Sequence, residues 1–223
     1  MRGTIPISVE KAGRIGTRWD VLAVLLTFGL LVFFGEASRH LLQPLSELQM
    51  TPVSLDPRNL PEYAARTTLR MLLALVLSLV FTFTYATLAA KNRRAEVLLV
   101  PLLDILQSVP ILGFISVTVV FFMSLAPGRV LGAEFAAIFA IFTSQAWNMA
   151  FSFYQSLRTV PLEMIEAGRM FGLNGWARFW RIEVPFAMPS LVWNMMMSMS
   201  GGWFFVVAAE AITVGNTSIA LPG

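Results

Sequence analysis

The sequence of 223 residues contains no cysteine and one histidine, His40. Thiol nucleophiles, disulfides and cysteine-ligated zinc are excluded, as is a metal site built on a pair of histidines, and we predict no bound metal. Neither of the two lysines, Lys11 and Lys91, stands in the Gly-Lys-Ser/Thr sequence of a phosphate-binding loop. The chain is therefore predicted to bind no cofactor, and any ATP that drives it is bound and hydrolysed by a partner subunit.

Charged residues are also scarce, because they make up 13% of the chain whereas 57% of it is hydrophobic. Soluble domains carry about 25% charged residues, so the composition predicts an all-α, polytopic bundle of transmembrane helices. The net charge of +3 does not indicate a nucleic-acid-binding protein, since the arginines are scattered over short loops without a basic and aromatic run. Basic loops of this kind set the orientation of a protein in the lipid bilayer.

Five apolar segments are each predicted to cross the bilayer, which takes about 20 helical residues. They are residues 19–35, 71–90, 110–126, 135–154 and 186–209. The apolar stretch 97–127 is too long for one crossing and contains Pro101 and Pro110. We divide it into a short helix ending near Gln107 and a crossing from about Pro110. A cleaved signal peptide is the alternative for the first segment, but the residues that follow it make a poor cleavage site.

The loops give the predicted domains and their orientation. Residues 1–18 form a tail, residues 36–66 a proline-rich loop on the opposite side, and residues 67–223 the core domain. The side that holds the tail and the segments 91–96 and 155–185 carries eleven lysines and arginines against five on the other side. Because cytoplasmic loops are enriched in positive charge, the N-terminal tail is predicted to be cytoplasmic and the 36–66 loop extracytoplasmic. An odd number of crossings and a turn-like final tripeptide predict that the core domain is incomplete at its C-terminus.

The loop at residues 160–185 carries helix signals although it lies outside the apolar segments. Pro161 is typical of a first helical turn, where no N–H donor is needed. Gly172 is a favourable stop, because glycine adopts the left-handed conformation that follows many helices. Asn174 is then predicted to cap a second helix, which we expect to end at Pro185. The loop is thus predicted to form two helices joined by a turn.

The first of these helices is predicted to have two unlike faces at helical spacing. Small and apolar residues share one face: Met164, Ala167, Gly168 and Phe171. Charged residues share another: Glu163, Glu166 and Arg169. Small residues in the middle and a charged flank favour docking into a groove on a partner protein. The alternative is that the helix packs beneath its own bundle and that Glu166 and Arg169 form a surface ion pair.

The same loop resembles the cytoplasmic signature loop of ABC importer permeases, which is known by its Glu-Ala-Ala sequence. The residues that match this signature at the spacing of the family are Glu166, Ala167, Gly172, Ile182 and Pro185. Two positions depart from it, because Gly168 stands in place of the second alanine and Val184 in place of a leucine. Gly168 is expected to weaken the helix by up to about 1 kcal/mol relative to alanine.

The resemblance implies a type I ABC importer permease, the transmembrane subunit that forms the solute pathway. It implies that the loop holds a coupling helix in a cleft of an ABC ATPase subunit. The residues implied in this contact are Glu163, Glu166, Ala167, Gly168, Arg169, Gly172, Ile182 and Pro185. Further implied partners are a second permease domain, which is identical, different or fused, and an extracytoplasmic solute-binding protein.

The implied location is the bacterial inner membrane, with several crossings. Residues 103–114 and the final Leu-Pro-Gly are similar to permeases of the nitrate, sulfonate and taurine branch. This likeness implies a small solute as cargo, and specifically an anion such as nitrate, a sulfonate or taurine.

Polar residues inside the predicted membrane region are candidates for the solute pathway, because placing them in lipid is costly. These candidates are Asp104, Gln107, Ser108, Asn148 and Asn194. Each has a structural alternative, since such residues also form hydrogen bonds between helices. For Asp104 the alternative is a place at the cytoplasmic interface, where it caps a helix or pairs with Arg93 or Arg94. An ATP-independent secondary transporter or channel is the alternative function, and it would depend on Asp104 and Glu134 as its buried acidic groups.

Overall fold

The computed structural model of the chain describes residues 18–37, 56–109, 111–127, 129–214 and 217–220. Within these residues eight α-helices follow one another: α1 (Arg18–Ala37), α2 (Leu60–Lys91), α3 (Arg93–Ser108), α4 (Ile111–Leu125), α5 (Val130–Arg158), α6 (Leu162–Met170), α7 (Gly175–Arg178) and α8 (Val184–Glu210). A 3-10 turn (Pro57–Asn59) precedes α2, and a π-helical turn (Phe179–Glu183) joins α7 to α8. After α8 come two antiparallel strands, β1 (Ala211–Val214) and β2 (Thr217–Ala220). The predicted tail up to residue 17, His40, most of the 36–66 loop and the final tripeptide lie outside the described residues.

Helix α2 is longer than the apolar segment 71–90 from which we predict it. It begins at Leu60, because Pro61 in its first turn needs no hydrogen-bond acceptor and has a backbone φ that suits a helix. Residues 60–66 of the predicted loop are therefore the first turns of a helix.

The junction between α2 and α3 consists of a single residue, Asn92. Its backbone is extended, and its side-chain oxygen accepts hydrogen bonds from the N–H groups of Arg94 at 3.0 Å and Ala95 at 3.4 Å. These bonds satisfy donors that the first turn of a helix would otherwise leave unpaired. The segment 91–96, which we treat as a loop in the sequence, is therefore a sharp joint between two helices.

The predicted break in the long apolar stretch is confirmed. Helix α3 ends at Ser108 and α4 begins at Ile111. Val109 between them has an extended backbone, as expected for a residue that precedes a proline. Pro101 stays inside α3.

Helix α5 lies at the centre of the bundle and packs against α2, α4 and α8. Its buried face toward α4 consists of alanines that pack around Val119, namely Ala133, Ala136, Ala137 and Ala140. Small residues allow two helix backbones to approach closely. At Gly132 a Cβ atom would lie 2.9 Å from both the Cα of Met123 and the carbonyl oxygen of Phe122. The position therefore has no room for a side chain.

Two of the described helical segments, Pro57–Lys91 and Val130–Arg158, are long and apolar enough to cross a membrane. The helical fold that the composition predicts is confirmed. The number of five crossings and the division into tail, loop and core domain stay predictions. The sequence patterns do not predict the β1–β2 pair, which joins Ala211 to Ala220 and Val214 to Thr217.

Candidate functional site

Helix α6 and the turn after it form as the sequence predicts. Glu163 lies in the first turn of α6, which follows Pro161. The helix is followed by Gly172, whose φ of +70° is left-handed, a conformation that costs other residues about 1–2 kcal/mol. The N–H of Leu173 donates to the carbonyl of Gly168 at 3.0 Å and closes the end of the helix.

The second helix of the loop begins as predicted but does not end as predicted. The side-chain oxygen of Asn174 accepts a hydrogen bond of 2.8 Å from the N–H of Ala177, which confirms the cap. The expected end at Pro185 is wrong, because α7 continues through the π turn into α8. The N–H of Val184 donates to the carbonyl of Phe179, five residues earlier, and Pro185 falls in the first turn of α8, where its missing N–H is tolerated. One continuous helical path therefore leads from the loop into the bundle.

Gly168 is the buried residue of α6 and lies against the π turn. A Cβ atom at this position would lie 2.6 Å from Cδ1 of Ile182 and 3.5 Å from Cγ of Arg178. Gly168, which departs from the permease signature, is thus in close contact with Ile182, which matches it. The absence of a side chain at Gly168 therefore allows α6 to lie close to the helical path behind it.

The remainder of α6 and its turn is exposed, so the predicted apolar face is divided. Gly168 is buried and Ala167 half-buried, whereas Met164 and Phe171 are exposed. The exposed apolar side chains of this region are Leu162, Met164, Met170, Phe171 and Trp176. Glu163, Glu166 and Arg169 are exposed beside them. We call these eight side chains the α6 surface. In the described part of the chain no ion pair joins Glu166 to Arg169.

Behind the α6 surface, a buried carboxylate connects the π turn to α2. Oε2 of Glu183 lies 2.7 Å from Nζ of Lys91, and Oε1 of the same residue lies 3.5 Å from Nε of Arg178. Nζ of Lys91 also lies 4.9 Å from the centre of the Phe179 ring, where the cation meets the electron-rich face. This cluster is not predicted from the sequence patterns. The available signal is Glu183 itself, a charge between the apolar residues 182 and 184.

A second polar cluster lies at the same end of the bundle, between α3 and α5. Tyr154 donates a hydrogen bond of 2.6 Å from its hydroxyl to Oε1 of Glu96. The same oxygen lies 3.6 Å from Nη2 of Arg158. The first cluster therefore ties the π turn to the end of α2, and the second ties the start of α3 to the end of α5.

Three of the pathway candidates lie together at the end of α3, where they are exposed. Gln107 donates to Oδ1 of Asp104 at 3.0 Å, and the Ser108 hydroxyl donates to the Asp104 carbonyl at 2.7 Å. Arg93 and Arg94 begin α3 and lie at its other end, so the alternative pairing with Asp104 is not formed in the described structure. A role of these residues in the solute pathway stays a prediction.

The other two pathway candidates lie in a polar seam between α5 and α8. Asn148 donates to the hydroxyl of Ser198 at 3.1 Å. Asn194 donates to the Ser152 hydroxyl at 2.8 Å and to the Ser190 carbonyl at 3.0 Å. The hydrogen bonds between helices that form the structural alternative are therefore present, and a place in the pathway stays a prediction here as well.

The opposite end of the bundle holds a buried ion pair between α2 and α5. Nε and Nη2 of Arg70 lie 2.6 and 2.7 Å from the two carboxylate oxygens of Glu134, in a bidentate arrangement. The two side chains are 3% and 7% exposed. The sequence predicts Glu134 as a buried acidic group but does not predict its partner. Among the described residues, no group of three acidic or histidine side chains is placed to hold a metal ion.

Comparison with known proteins identifies the class to which this arrangement belongs. The family described as "Binding-protein-dependent transport system inner membrane component" matches residues 83–221, which is more than half of the chain. The chain therefore belongs to this family, whose members are membrane components of transport systems and not enzymes. The match confirms the predicted class, an ABC importer permease, whereas the roles of the individual loop residues stay predictions.

The names of individual relatives specify different solutes. The trimethylamine N-oxide transport system permease TmoV of Pelagibacter ubique (strain HTCC1062) is 30% identical over 52% of this chain and 15% of its own length. The bicarbonate permease CmpB of Synechococcus elongatus is 23% identical over 59% of this chain and 45% of its own length. The taurine permease TauC of Escherichia coli (strain K12) is 25% identical over 93% of this chain and 74% of its own length. The chain thus matches less than half the length of the first two relatives.

Proposed function

We propose that this chain is the permease subunit of an ATP-driven importer, that it forms the solute pathway, and that it is coupled to a separate ATPase subunit through the α6 surface. The observation that carries the proposal is the exposure of Met170 and Phe171, which are 87% and 84% exposed beside acidic side chains. Large apolar side chains at this exposure are typical of a contact with a partner protein. The membership in a family of binding-protein-dependent transport components supports the proposal.

The mechanism follows from the continuity of the helices behind this surface. Closure of two ATPase subunits around ATP displaces α6, and Gly168 transmits the displacement to Ile182 in the π turn. Because the π turn continues into α8, and Glu183 holds Lys91 at the end of α2, movement of the loop shifts both helices together. A second permease domain completes the pathway, and an extracytoplasmic solute-binding protein delivers the cargo. ATP stays on the partner subunit.

Docking of the α6 surface is tested by replacing an exposed apolar side chain with a polar one. Phe171→Ser should reduce the recovery of the ATPase subunit when the tagged chain is purified from membranes. The matched control is Leu60→Ser, which removes an exposed apolar side chain from the start of α2, at the opposite end of the bundle. Equal recovery of the ATPase from the two variants and the wild type would count against docking through α6.

We further propose that the chain crosses the bacterial inner membrane several times and that its N-terminus and α6 face the cytoplasm. The absence of cysteine from the natural sequence makes this orientation simple to test. In intact cells, a membrane-impermeant maleimide should label an Arg58→Cys variant and leave a Phe171→Cys variant unlabelled until the membrane is opened. The reverse pattern of labelling would invert the orientation and remove α6 from the reach of an intracellular ATPase.

The proposed cargo is a small solute, and the resemblance to the nitrate, sulfonate and taurine branch favours an anion of that group. The likeness to the taurine permease extends over most of this chain and supports this choice. In the assembled importer, taurine and small sulfonates should stimulate ATP hydrolysis more strongly than bicarbonate or trimethylamine N-oxide. Stimulation by trimethylamine N-oxide alone would replace the proposed sulfonate cargo with an amine oxide and leave the permease function intact.

An ATP-independent transporter is the second candidate, and the buried Glu134 is the observation that favours it. The bidentate contact with Arg70 speaks against this role, because both carboxylate oxygens are occupied by the guanidinium and are not available to a coupling ion. Uptake of cargo by the purified chain in liposomes without ATP and ATPase would support the second candidate and overturn the first.

A further inference from the structure

A cavity of about 520 Å³ lies at the loop end of the bundle, where the end of α2, the start of α3 and the end of α5 meet. It is lined by Ala90, Lys91, Arg93, Glu96, Val97 and Arg158. Three of these side chains are cationic and one is acidic. The cavity belongs neither to the α6 surface nor to the polar seam between α5 and α8.

The charges around the cavity leave it with an excess of positive charge. Lys91 is balanced by Glu183, and Arg158 lies 3.6 Å from Glu96. Arg93 is exposed and makes no ion pair with any residue that the structure describes. It also begins α3, so the positive end of the helix dipole borders the cavity. These features together favour an anionic ligand.

The apolar surface beside the cavity identifies the kind of anion. Exposed aliphatic side chains continue along α3 from the cavity in steps of one and then three or four residues: Val97, Leu98, Leu102 and Ile105. Val97 belongs both to the wall of the cavity and to this stripe. A soluble phosphate would contact the cationic side chains of the cavity but would leave the aliphatic side chains of the stripe exposed. A phospholipid has a phosphodiester for the cations and acyl chains for the stripe, and basic pockets between transmembrane helices bind such headgroups.

We propose that this cavity binds the headgroup of an anionic phospholipid whose acyl chains lie along the α3 stripe. Arg93 and Arg158 contact the phosphodiester, and Glu96 limits the affinity by its own charge. The site does not depend on the contact with the ATPase. In the proposed orientation, the lipid comes from the inner leaflet of the membrane.

The experiment is a titration of the full-length chain in detergent with phosphatidylglycerol, in which bound lipid is counted by native mass spectrometry. The double variant Arg93→Gln/Arg158→Gln should bind about 30-fold more weakly, since each basic side chain near a membrane surface contributes a factor of about five. The matched control, Arg129→Gln/Arg181→Gln, removes two exposed arginines that belong neither to the cavity nor to the α6 surface, and should bind as the wild type does. Phosphatidylcholine, which carries no net charge, should bind weakly to all forms.

A second variant distinguishes a specific loss of lipid binding from a loss that is caused by misfolding. Glu96→Gln removes the acidic side chain from the cavity and should raise the affinity for phosphatidylglycerol several-fold. Equal binding by the double variant and its control overturns the proposal, and so does equal binding of phosphatidylcholine. Displacement of the lipid by millimolar glycerol phosphate would assign the site to a soluble anion instead. Loss of the ATPase from the double variant with unchanged lipid binding would assign the cations to the partner protein.

Discussion

The two ends of the bundle each hold a buried carboxylate, but its cationic partner is buried at one end and partly exposed at the other. At the end that holds Arg70 and Glu134, the ion pair is bidentate and sealed from solvent. At the loop end, Glu183 is equally buried, but the side chain of Lys91 is 40% exposed and the carboxylate is shared with Arg178. A sealed pair resists rearrangement, whereas a half-open pair can be replaced by water at a smaller cost.

The glycines at the two ends show the same contrast between a rigid and an adjustable contact. A Cβ atom at Gly132 would meet backbone atoms of α4, which cannot move without displacing a helix. A Cβ atom at Gly168 would meet the tip of the Ile182 side chain, which can rotate. The contacts at the loop end can therefore adjust to a displacement of the loop, whereas the contacts at the opposite end cannot move without displacing a helix. This distribution of rigidity agrees with the proposed coupling to an ATPase through the loop.

The sealed ion pair should give the largest effect. Arg70→Met leaves the Glu134 carboxylate buried, and we expect a loss of about 3–5 kcal/mol in the free energy of unfolding, because an uncompensated buried charge is costly. The measurement is thermal or denaturant unfolding of the purified chain in detergent. The control is Arg70→Met/Glu134→Leu, which removes both charges and should recover most of the loss. No recovery in the double variant would mean that Arg70 acts through contacts other than Glu134.

The backbone contact at Gly132 comes next. Gly132→Ala should lower the free energy of unfolding by about 1–3 kcal/mol, because the added methyl group forces α4 away from α5. Gly201→Ala in α8 is the matched control, since nothing lies within 4 Å of a Cβ atom at that position. It should be neutral or slightly stabilising. A neutral Gly132→Ala would show that α4 moves freely and would remove one half of the contrast between the two ends.

The half-open ion pair should give a smaller effect than the sealed one. Lys91→Met should cost about 1–2 kcal/mol, because Glu183 keeps its contact with Arg178 and Lys91 is partly hydrated in any case. The same unfolding assay compares it with Arg70→Met. If the two variants were equally unstable, the exposure of Lys91 would have no bearing on how firmly the loop is held.

The contact between α6 and the π turn should give the smallest effect, and its sign should depend on Ile182. Gly168→Ala improves helix propensity by up to about 1 kcal/mol, but the new methyl group competes with Cδ1 of Ile182. In an Ile182→Val background, which lacks Cδ1, the same substitution should become stabilising. Additive effects of the two substitutions, measured as a double-mutant cycle, would contradict the contact.

The local geometry of the loop, and of the break between α3 and α4, could be predicted from sequence because short-range chemistry decides it. Gly172 takes a positive φ, Asn174 caps the next helix, and Val109 is extended before a proline. Each outcome depends on residues within about one helical turn of the position concerned. The end of the second helix at Pro185 could not be predicted in this way, because a proline is equally compatible with a helix that stops before it and one that begins around it.

The sequence by itself determined the helical class of the fold, the break between α3 and α4, and the residues of the permease signature, since composition and neighbouring residues suffice for these. Tertiary structure decided which charges meet. Arg70 and Glu134 are 64 positions apart in the sequence. The sequence alone does not indicate which cationic side chain pairs with the Glu134 carboxylate. It also decided that Gly168 touches Ile182, because the distance between two helices is fixed by the packing of the whole bundle and not by the residues of either helix.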